Sequence, residues 1–511
     1  MSAEEPAEGH RHGLPELIAA RRAKLEQLRA MGDDFGECTG AVAESDGRAA
    51  EGDFPYSFRD AAPIAQVRAA YEHLEVGEET EDVHRVAGRI AGKRGQGKAS
   101  FLDLVDRTGK VQLHARLDVL GEDGMARLRL LDLGDLIGVD GAVLRSRHGE
   151  LTLRVDRFQV LAKALRPPPD KHSGLADVQT RYRRRELDLI ANEEVRRLFV
   201  DRARIVSAVR AYLDGEGFIE VETPVLQPLY GGALARPFTT HHNELDRDLY
   251  LRIATELYLK RLLVGGLERV YELGKDFRNE GVSTKHNPEF TVVEWYEAYA
   301  DYTDEAHRLE ELVAGAARAV DYAGELDFSA PWRRTGFFEE IERQTGIDEP
   351  AALDLGRLRT AIKERGLDLK TEGFTWFQIA DDLFSKYVEP TLAQPTFVFD
   401  YPAKISPLAR EHRAKPGLVE RWEAFAGGME IANAFSELID PDVQRENFEA
   451  QERLEVLGAA ETMPYDEAFV EALEQGMPPA GGVGLGIDRL VMLLTGRDSI
   501  REVVLFPALR S

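Results

Sequence analysis

VYELGKDFRNEGVSTKHNPEFTVVEWYEAYADY, residues 270–302, is the stretch on which the reading of this 511-residue chain turns. Its first and last parts, Val270–Phe277 and Glu289–Tyr296, have the apolar and β-branched character of strands. Between them runs a loop holding Arg278, Glu280, Lys285 and His286. A strand, a charged loop and a second strand present a fixed arginine and a carboxylate at the mouth of a sheet. A guanidinium held there can grip a nucleotide phosphate through two parallel hydrogen bonds. A salt-bridged hairpin produces the same pattern, so the decision comes from the flanking residues.

Upstream, Glu193–Leu213 carries Val195, Leu198, Phe199, Ile205, Val206, Val209 and Leu213 at helical spacing. Gly215–Gly217 end that helix, and Phe218–Glu222 reads as a strand closed by Thr223-Pro224. The stiff run Arg166–Asp170, with three prolines, marks a linker, and Arg181, Arg183, Arg184 and Arg185 follow it. These arginines read either as a solvated helix start or as a phosphate-facing patch. Further upstream lie five short β-like runs, VHRVAGRI, SFLDLVD, KVQLHAR, LIGVDGAVLRS and ELTLRVDRF, with turns at Arg94–Gly97 and Arg107–Gly109. A helix is expected around Met125–Leu133, between the third and fourth. That order suggests an OB-type barrel, a fold whose strand 2–3 face commonly binds oligonucleotides. Alternation puts Val111, Leu113 and Ala115 on one face and Gln112, His114 and Arg116 on the other. With Leu102 and Leu104 in the core, Phe101 and Asp103 point outward, and Phe101 is either a base-stacking platform or a surface aromatic under a loop. Residues 14–30 form an amphipathic helix through Leu14, Leu17, Ile18, Leu25 and Leu28, followed by loop at least to Ser57. The expected partition is an N-terminal extension (1–80), an OB domain (81–165), a linker with a basic helix (166–192) and a catalytic domain (193–511).

Composition narrows the class. Hydrophobic residues make up 43% and charged residues 31% of the chain, which excludes a largely disordered protein. No apolar run reaches the roughly 18–20 residues that span a bilayer, so no membrane association is expected. Met1–Gly13 lacks an apolar signal-peptide core, and a lone cysteine, Cys38, suits a reducing cytoplasm. The net charge of −26 argues against nucleic acid only globally, since a basic patch can sit on an acidic body. Phosphate-loop, HExxH and class I synthetase signatures are absent. GGVGLG at 481–486 lacks the spacing of a dinucleotide fingerprint. His241 and His242, adjacent on a strand, point to opposite faces and read as structural.

With these blocks in place, the chain resembles the class II aminoacyl-tRNA synthetases, specifically the lysine enzymes of the bacterial and eukaryotic type. The three class II motifs occur in order: the long helix with GFIEVETP ending at Pro224; FRNEG at 277–281 with HNPEF at 286–290; and GLGIDR at 484–489. GGALARPF (231–238), YLRIATELYLKRL (250–262), YPAKISPLAR (401–410) and GGMEIANAFSEL (427–438) extend the likeness over residues 81–511. The resemblance implies an α+β fold, with an N-terminal OB barrel followed by an antiparallel catalytic sheet flanked by helices. It also implies a homodimer, formed through the first motif, that joins L-lysine to tRNA(Lys) at the expense of ATP.

It assigns roles residue by residue. Arg278 meets the ATP α-phosphate, Phe290 stacks on adenine, and Arg489 packs on the other side and reaches the γ-phosphate. Glu280, His286 and Asn287 complete the ATP set, and Glu423 and Glu430 supply oxygen ligands to Mg²⁺. A lysine ε-ammonium needs carboxylate partners once desolvated. Glu294, Tyr296 and Glu437 match that pocket, Gly232 and Glu256 match the α-amino site, and Asn433 and Phe435 complete it. Glu437 with Leu438 distinguishes lysine from the aspartate and asparagine relatives. Arg94, Phe101 and Gln112 match anticodon-reading positions. Two departures are Ala480, where the family usually has Thr, and Ala434, where bacterial relatives have Gly. Three alternatives accompany this reading: a paralogue that attaches lysine to a protein and lacks an anticodon domain, a non-enzymatic RNA-binding protein, and a resistance copy acting on a lysine analogue.

Overall fold

A computed structural model of the chain describes residues 13–31, 54–95, 97–169, 175, 177–456 and 463–509. Cys38, the segment before Gly13 and most of the loop expected up to Ser57 lie outside these residues. The chain divides into two compact units, Met1–Arg181 with Glu186–Glu193, and Tyr182–Arg185 with Glu194–Ser511. The stretch expected as linker and basic helix carries two short helices, Val178–Arg183 and Arg185–Ala191, and contributes to both units.

In the first unit, β1 (Glu79–Arg94), β2 (Ala99–Val105), β3 (Lys110–Arg116), β4 (Leu136–Arg145) and β5 (Leu151–Ala162) close into a barrel of order β1-β2-β3-β5-β4. The alternation read from the sequence holds: Leu102, Leu104, Val111, Leu113 and Ala115 are buried, while Phe101, Gln112 and His114 are half-buried on the outside. The helix between β3 and β4 spans Leu117–Arg129, beginning eight residues before its expected start. Gly121, at φ 69°, interrupts its helical geometry and hides the periodicity of its first turns. The helix Leu14–Ala30 buries Leu25 and Leu28 in the barrel core, but Leu17 is 51% exposed, so its apolar stripe is shorter than the leucine spacing suggested. A helix the sequence hid, Ile64–Ala70, adds Ile64 and Val67 to that core. Arg181 is committed to Asp188 at 2.9 Å, within this unit.

The second unit contains β6 (Ile219–Glu220), β7 (Leu226–Gln227), β8 (Thr239–His242), β9 (Arg247–Leu251), β10 (Arg269–Phe277), β11 (Glu289–Ala298), β12 (Arg333–Gly336), β13 (Thr396–Pro402), β14 (Leu418–Ala426), β15 (Met429–Ser436) and β16 (Ala480–Gly486). Eight of them form one sheet of order β12-β13-β14-β15-β16-β11-β10-β6. It is antiparallel except where β6 joins β10 and β12 joins β13. The strand expected over Phe218–Glu222 shrinks to two residues, because Phe218 N–H still bonds to Leu213 C=O at the helix end. Helices Glu193–Gly215, Tyr302–Ala319 and Ile487–Thr495 bury their apolar faces in one core with the sheet. Asp301 and Asp304 start the second of these with reciprocal side-chain caps on the orphan N–H groups. Arg185 is buried here, donating to the carbonyls of Arg501, Val504 and Leu505, so it is a structural group rather than a phosphate-facing one.

Candidate active site

Strand alternation builds the site in the second unit. On β11, Val293 and Trp295 enter the core, while Phe290, Glu294 and Tyr296 face a cavity of about 470 Å³. On β16, Val483 and Leu485 enter the core and Gly482, Gly484 and Gly486 border the cavity. The hairpin β14–β15 turns at Gly427-Gly428, with φ 62° and 66°, a conformation that two-residue hairpins require and glycine adopts freely.

One end of the cavity collects the second and third motifs. Arg278 N–H bonds to Pro288 C=O at 2.9 Å, pairing the two limbs of the charged loop, and the Arg278 guanidinium lies 5.1 Å over the Phe290 ring. Arg278 is thus the arginine that covers the Phe290 ring. Arg489 instead donates to Glu430, 3.1 Å from its carboxylate, and to His286 Nε2 at 3.3 Å. Burial first, then the positive charge of Arg489, depresses the His286 pKa, which suits a neutral ring accepting from Arg489 and meeting Ser283 Oγ through Nδ1 at 2.8 Å. Glu280 borders the cavity. Asn287 does too, but its amide is used inside the protein, donating to Glu289 C=O at 2.6 Å and accepting from Ala508 N–H at 3.2 Å. It therefore holds the loop in place.

The other end is crowded with carboxylates. Glu256 and Glu294 are buried and line the cavity with Gly232, Tyr296, Asn433 and Phe435. Burial, with Asp276 and Glu256 nearby, pushes the Glu294 carboxyl up to about 8. Tyr296 OH is 3.5 Å from Glu294 Oε2. Glu437 does not line the cavity; it lies behind the wall, touching the Lys260 ammonium through Oε2. Neither Glu437 oxygen has a hydrogen-bond partner among the described residues, and the ion-pair contact with Lys260 is made through Oε2. A Cβ added at Gly482 would collide with Glu437 Oε1 and with the Tyr296 ring, so only glycine lets the three meet.

Glu423 and Glu430 both face the cavity. Glu423 contacts Arg421 and accepts from Tyr401 OH at 2.9 Å. Burial, opposed by Arg421 and reinforced by Glu430 and Asp381, raises its carboxyl to about 7. Two hard-oxygen donors with excess negative charge around them fit a divalent cation such as Mg²⁺. Among the described residues no group of three or more His, Cys, Asp or Glu stands at metal-binding geometry. His241 pairs with Asp248 at 2.9 Å on an exposed strand, as a structural group would.

Sequence reasoning missed Arg421, Lys260 and Asp276. Arg421 joins Glu423 to Asn433 Oδ1, 2.9 Å from its Nε, and stacks 4.7 Å over Tyr401. Asp276, buried beside Arg252 at 3.1 Å, borders the cavity with its carboxyl raised to about 6, mainly by burial. Asp276 stands two residues before Arg278, a spacing that puts strand residues on one face and could have flagged it. The departures Ala434 and Ala480 are buried core positions that do not border the cavity.

On the barrel, Phe101 lies directly opposite His114, the rings parallel within 7° and 4.4 Å apart. Arg94 is opposite Phe101 on the other side and reaches Asp103 at 3.4 Å. Gln112 is opposite Asp103 and accepts from Thr152 Oγ1 at 3.1 Å. The three residues expected to read bases therefore share one face of β1, β2 and β3. Burial and Arg116 depress the His114 pKa, favouring the neutral ring.

Fold and site define a class II synthetase domain in a chain that also carries an OB barrel. A family model described as class II tRNA synthetases (D, K and N) matches residues 177–510, and one for the OB-fold nucleic acid binding domain matches residues 84–161. The lysine–tRNA ligase of Carboxydothermus hydrogenoformans is 47% identical over 505 residues, 97% of this chain and 98% of that protein. That of Moorella thermoacetica is 48% identical over 504 residues, again 97% and 98%. That of Pelotomaculum thermopropionicum is 46% identical over 513 residues, 99% and 97%. The chain belongs to the lysine–tRNA ligase family of class II aminoacyl-tRNA synthetases.

Proposed function

We propose that this chain ligates L-lysine to tRNA(Lys) with ATP in two steps at the cavity. The lysine carboxylate attacks the α-phosphorus in line, releasing pyrophosphate and leaving lysyl-adenylate. The terminal ribose hydroxyl of tRNA then attacks the adenylate carbonyl, and AMP leaves. No protein nucleophile is needed; the cavity supplies position and charge. Arg278 stabilises the charge that grows on the pentacoordinate phosphorus, an interaction stronger in the transition state than before it. Phe290 stacks on adenine, Glu280 meets its amine, and Arg489 and His286 take the outer phosphates, with Asn287 fixing the loop between them. At the other end, Glu294, Tyr296 and Glu437 receive the ε-ammonium and Gly232 and Glu256 the α-amino group. Asn433 and Phe435 line the side chain. Glu423 and Glu430 would hold Mg²⁺, which when bound offsets the negative charge of the phosphates. The observation that carries the reading is one cavity with Arg278 over Phe290 at one end and a partnerless buried carboxylate oxygen, that of Glu437, against the other.

On the barrel, Arg94, Phe101 and Gln112 read the anticodon by stacking and edge hydrogen bonds, the mode that suits single-stranded RNA loops. The barrel favours tRNA over the protein-modifying paralogue. A homodimer is supported by the apolar exposure of Val200, Ile219, Val225 and Leu226 around the first motif, each at least 40% exposed. The single cysteine suits a cytoplasmic setting. No helix among the described residues is long and apolar enough to cross a membrane. The test is ATP–pyrophosphate exchange with each of the proteinogenic amino acids. Exchange with lysine alone is expected; exchange driven by another amino acid, or by none, overturns the reading.

A further inference from the structure

Lys260 carries an ammonium that the scheme above does not use. It sits in the helix Glu256–Val264 with no exposed surface. Its Nζ lies 2.6 Å from Glu256 Oε1, one turn back on the same helix, and touches Glu437 Oε2. A buried ammonium without partners would lose its proton. Here two carboxylates outweigh the cost of burial and hold its pKa above the ordinary lysine value. Lys260 does not line the cavity, but both of its partners belong to the amino-acid end of the site.

We propose that Lys260 is the positioning residue for amino-acid selection: it engages one oxygen each of Glu256 and Glu437 and leaves Glu437 Oε1, against Gly482 and Tyr296, as the seat for a substrate ammonium. The inference rests on the lysine reading of the cavity and deepens it. A single presented oxygen matches a compact ammonium, whereas a guanidinium fork is best met by two parallel oxygens. Lys260 also opposes the burial that raises both carboxyls, that of Glu437 to about 8. The ionisable groups facing this cluster are Glu256 on the same helix, Glu294 and Tyr296 from β11, Arg421 from β14 and Glu437 beyond β15. With Lys260 neutralised, Glu256 and Glu437 lose the cation that touches both of them and take up protons at higher pH. Lysine binding, which needs Glu437 ionised, then moves to higher pH as well.

The experiment measures pyrophosphate exchange from pH 6 to 9 for the full chain and for Lys260→Met and Lys260→Gln. The expected result is a lysine KM at pH 7 raised at least about tenfold, the equivalent of one unit of pKa, and recovering as the pH rises. The ATP KM and kcat should stay within about threefold, since neither step of the chemistry touches Lys260. A lysine KM within threefold of the parent, or one raised equally at every pH, overturns the inference. Thermal melts cover the case in which the variants fold poorly. Stranded carboxylates predict that their stability deficit narrows as the pH falls from 8 to 6, and a deficit independent of pH overturns the inference. If the parent chain itself shows no lysine-dependent exchange, the reading of the cavity has failed, and that is visible before any variant is made.

Discussion

The two sites proposed for this chain's substrates are built on opposite principles. The cavity is surrounded by buried charge: Glu256, Glu294, Glu423 and Asp276 line it and Glu437 lies behind its wall, each with its carboxyl raised chiefly by burial. Arg421 pairs with Glu423, Lys260 with Glu256 and Glu437, and Arg252 with Asp276. The barrel face has no such wall. Its proposed reader is a pair of parallel rings, Phe101 and His114, half in solvent, with a surface ion pair of Arg94 and Asp103 beside them. Chemistry that must discriminate one ammonium and stabilise a phosphorus transition state needs desolvated, pre-set charge. Reading a flexible RNA loop needs flat apolar surfaces that accept a base. Substitutions in the cavity should therefore remove activity outright, and those on the barrel should weaken tRNA use alone.

The sharpest test of that contrast is Glu437→Gln, which leaves a substrate ammonium without its charge partner, a loss of about 2–5 kcal/mol for a buried pair. It should appear in the lysine KM and spare ATP; unchanged lysine kinetics would mean the buried carboxylate serves only the fold. Next comes Arg278→Ala, expected to slow adenylate formation by about 10²–10³-fold, as loss of one preorganised donor does. A loss under threefold in single-turnover kinetics would move Arg278 from chemistry to structure. On the barrel, Phe101→Ala should cost about 1–3 kcal/mol of tRNA interaction through lost stacking. Pyrophosphate exchange should stay normal while the tRNA KM rises, and a variant that charges tRNA as well as the parent would break the comparison from the barrel side. The smallest effect concerns the core behind the cavity. Glu305 accepts from Trp295 Nε1 at 2.7 Å, and burial raises its carboxyl to about 8. A folded pKa above the unfolded one means that its stabilising share is complete in acid and lost as the pH rises toward and through 8. Glu305→Gln cannot ionise, so its melting temperature should fall less than the parent's between pH 6 and pH 9. Parallel curves would show that Glu305 ionises without cost.

Legibility followed the same divide. On the barrel, period-two alternation in SFLDLVD and KVQLHAR was sufficient to orient Phe101 and Gln112, because one face of each strand is buried and a slip would expose it. The strands β10 and β11 were readable from the chain, as was the charged loop between them. The ligand roles in that loop came from family resemblance, since spacing says nothing about which carboxylate meets a metal. What stayed hidden were groups whose partners are remote in sequence. Lys260 meets Glu437 from 177 positions away in the chain, and Arg421 reaches Asn433 only through the pairing of β14 with β15. No local pattern encodes such meetings. The helix Ile64–Ala70, only seven residues long, was too short to declare a period.

Strand β16 has one further consequence. Where Glu437 Oε1 and the Tyr296 ring close in on Gly482, the wall of the pocket is bare backbone. Every missense change in codon 482 adds at least a methyl group at that point, so the position has no neutral neighbours in mutational space. On the proposed reading, an antimetabolite resting on this patch would press on a surface that no substitution of Gly482 can redraw without displacing Glu437 or Tyr296.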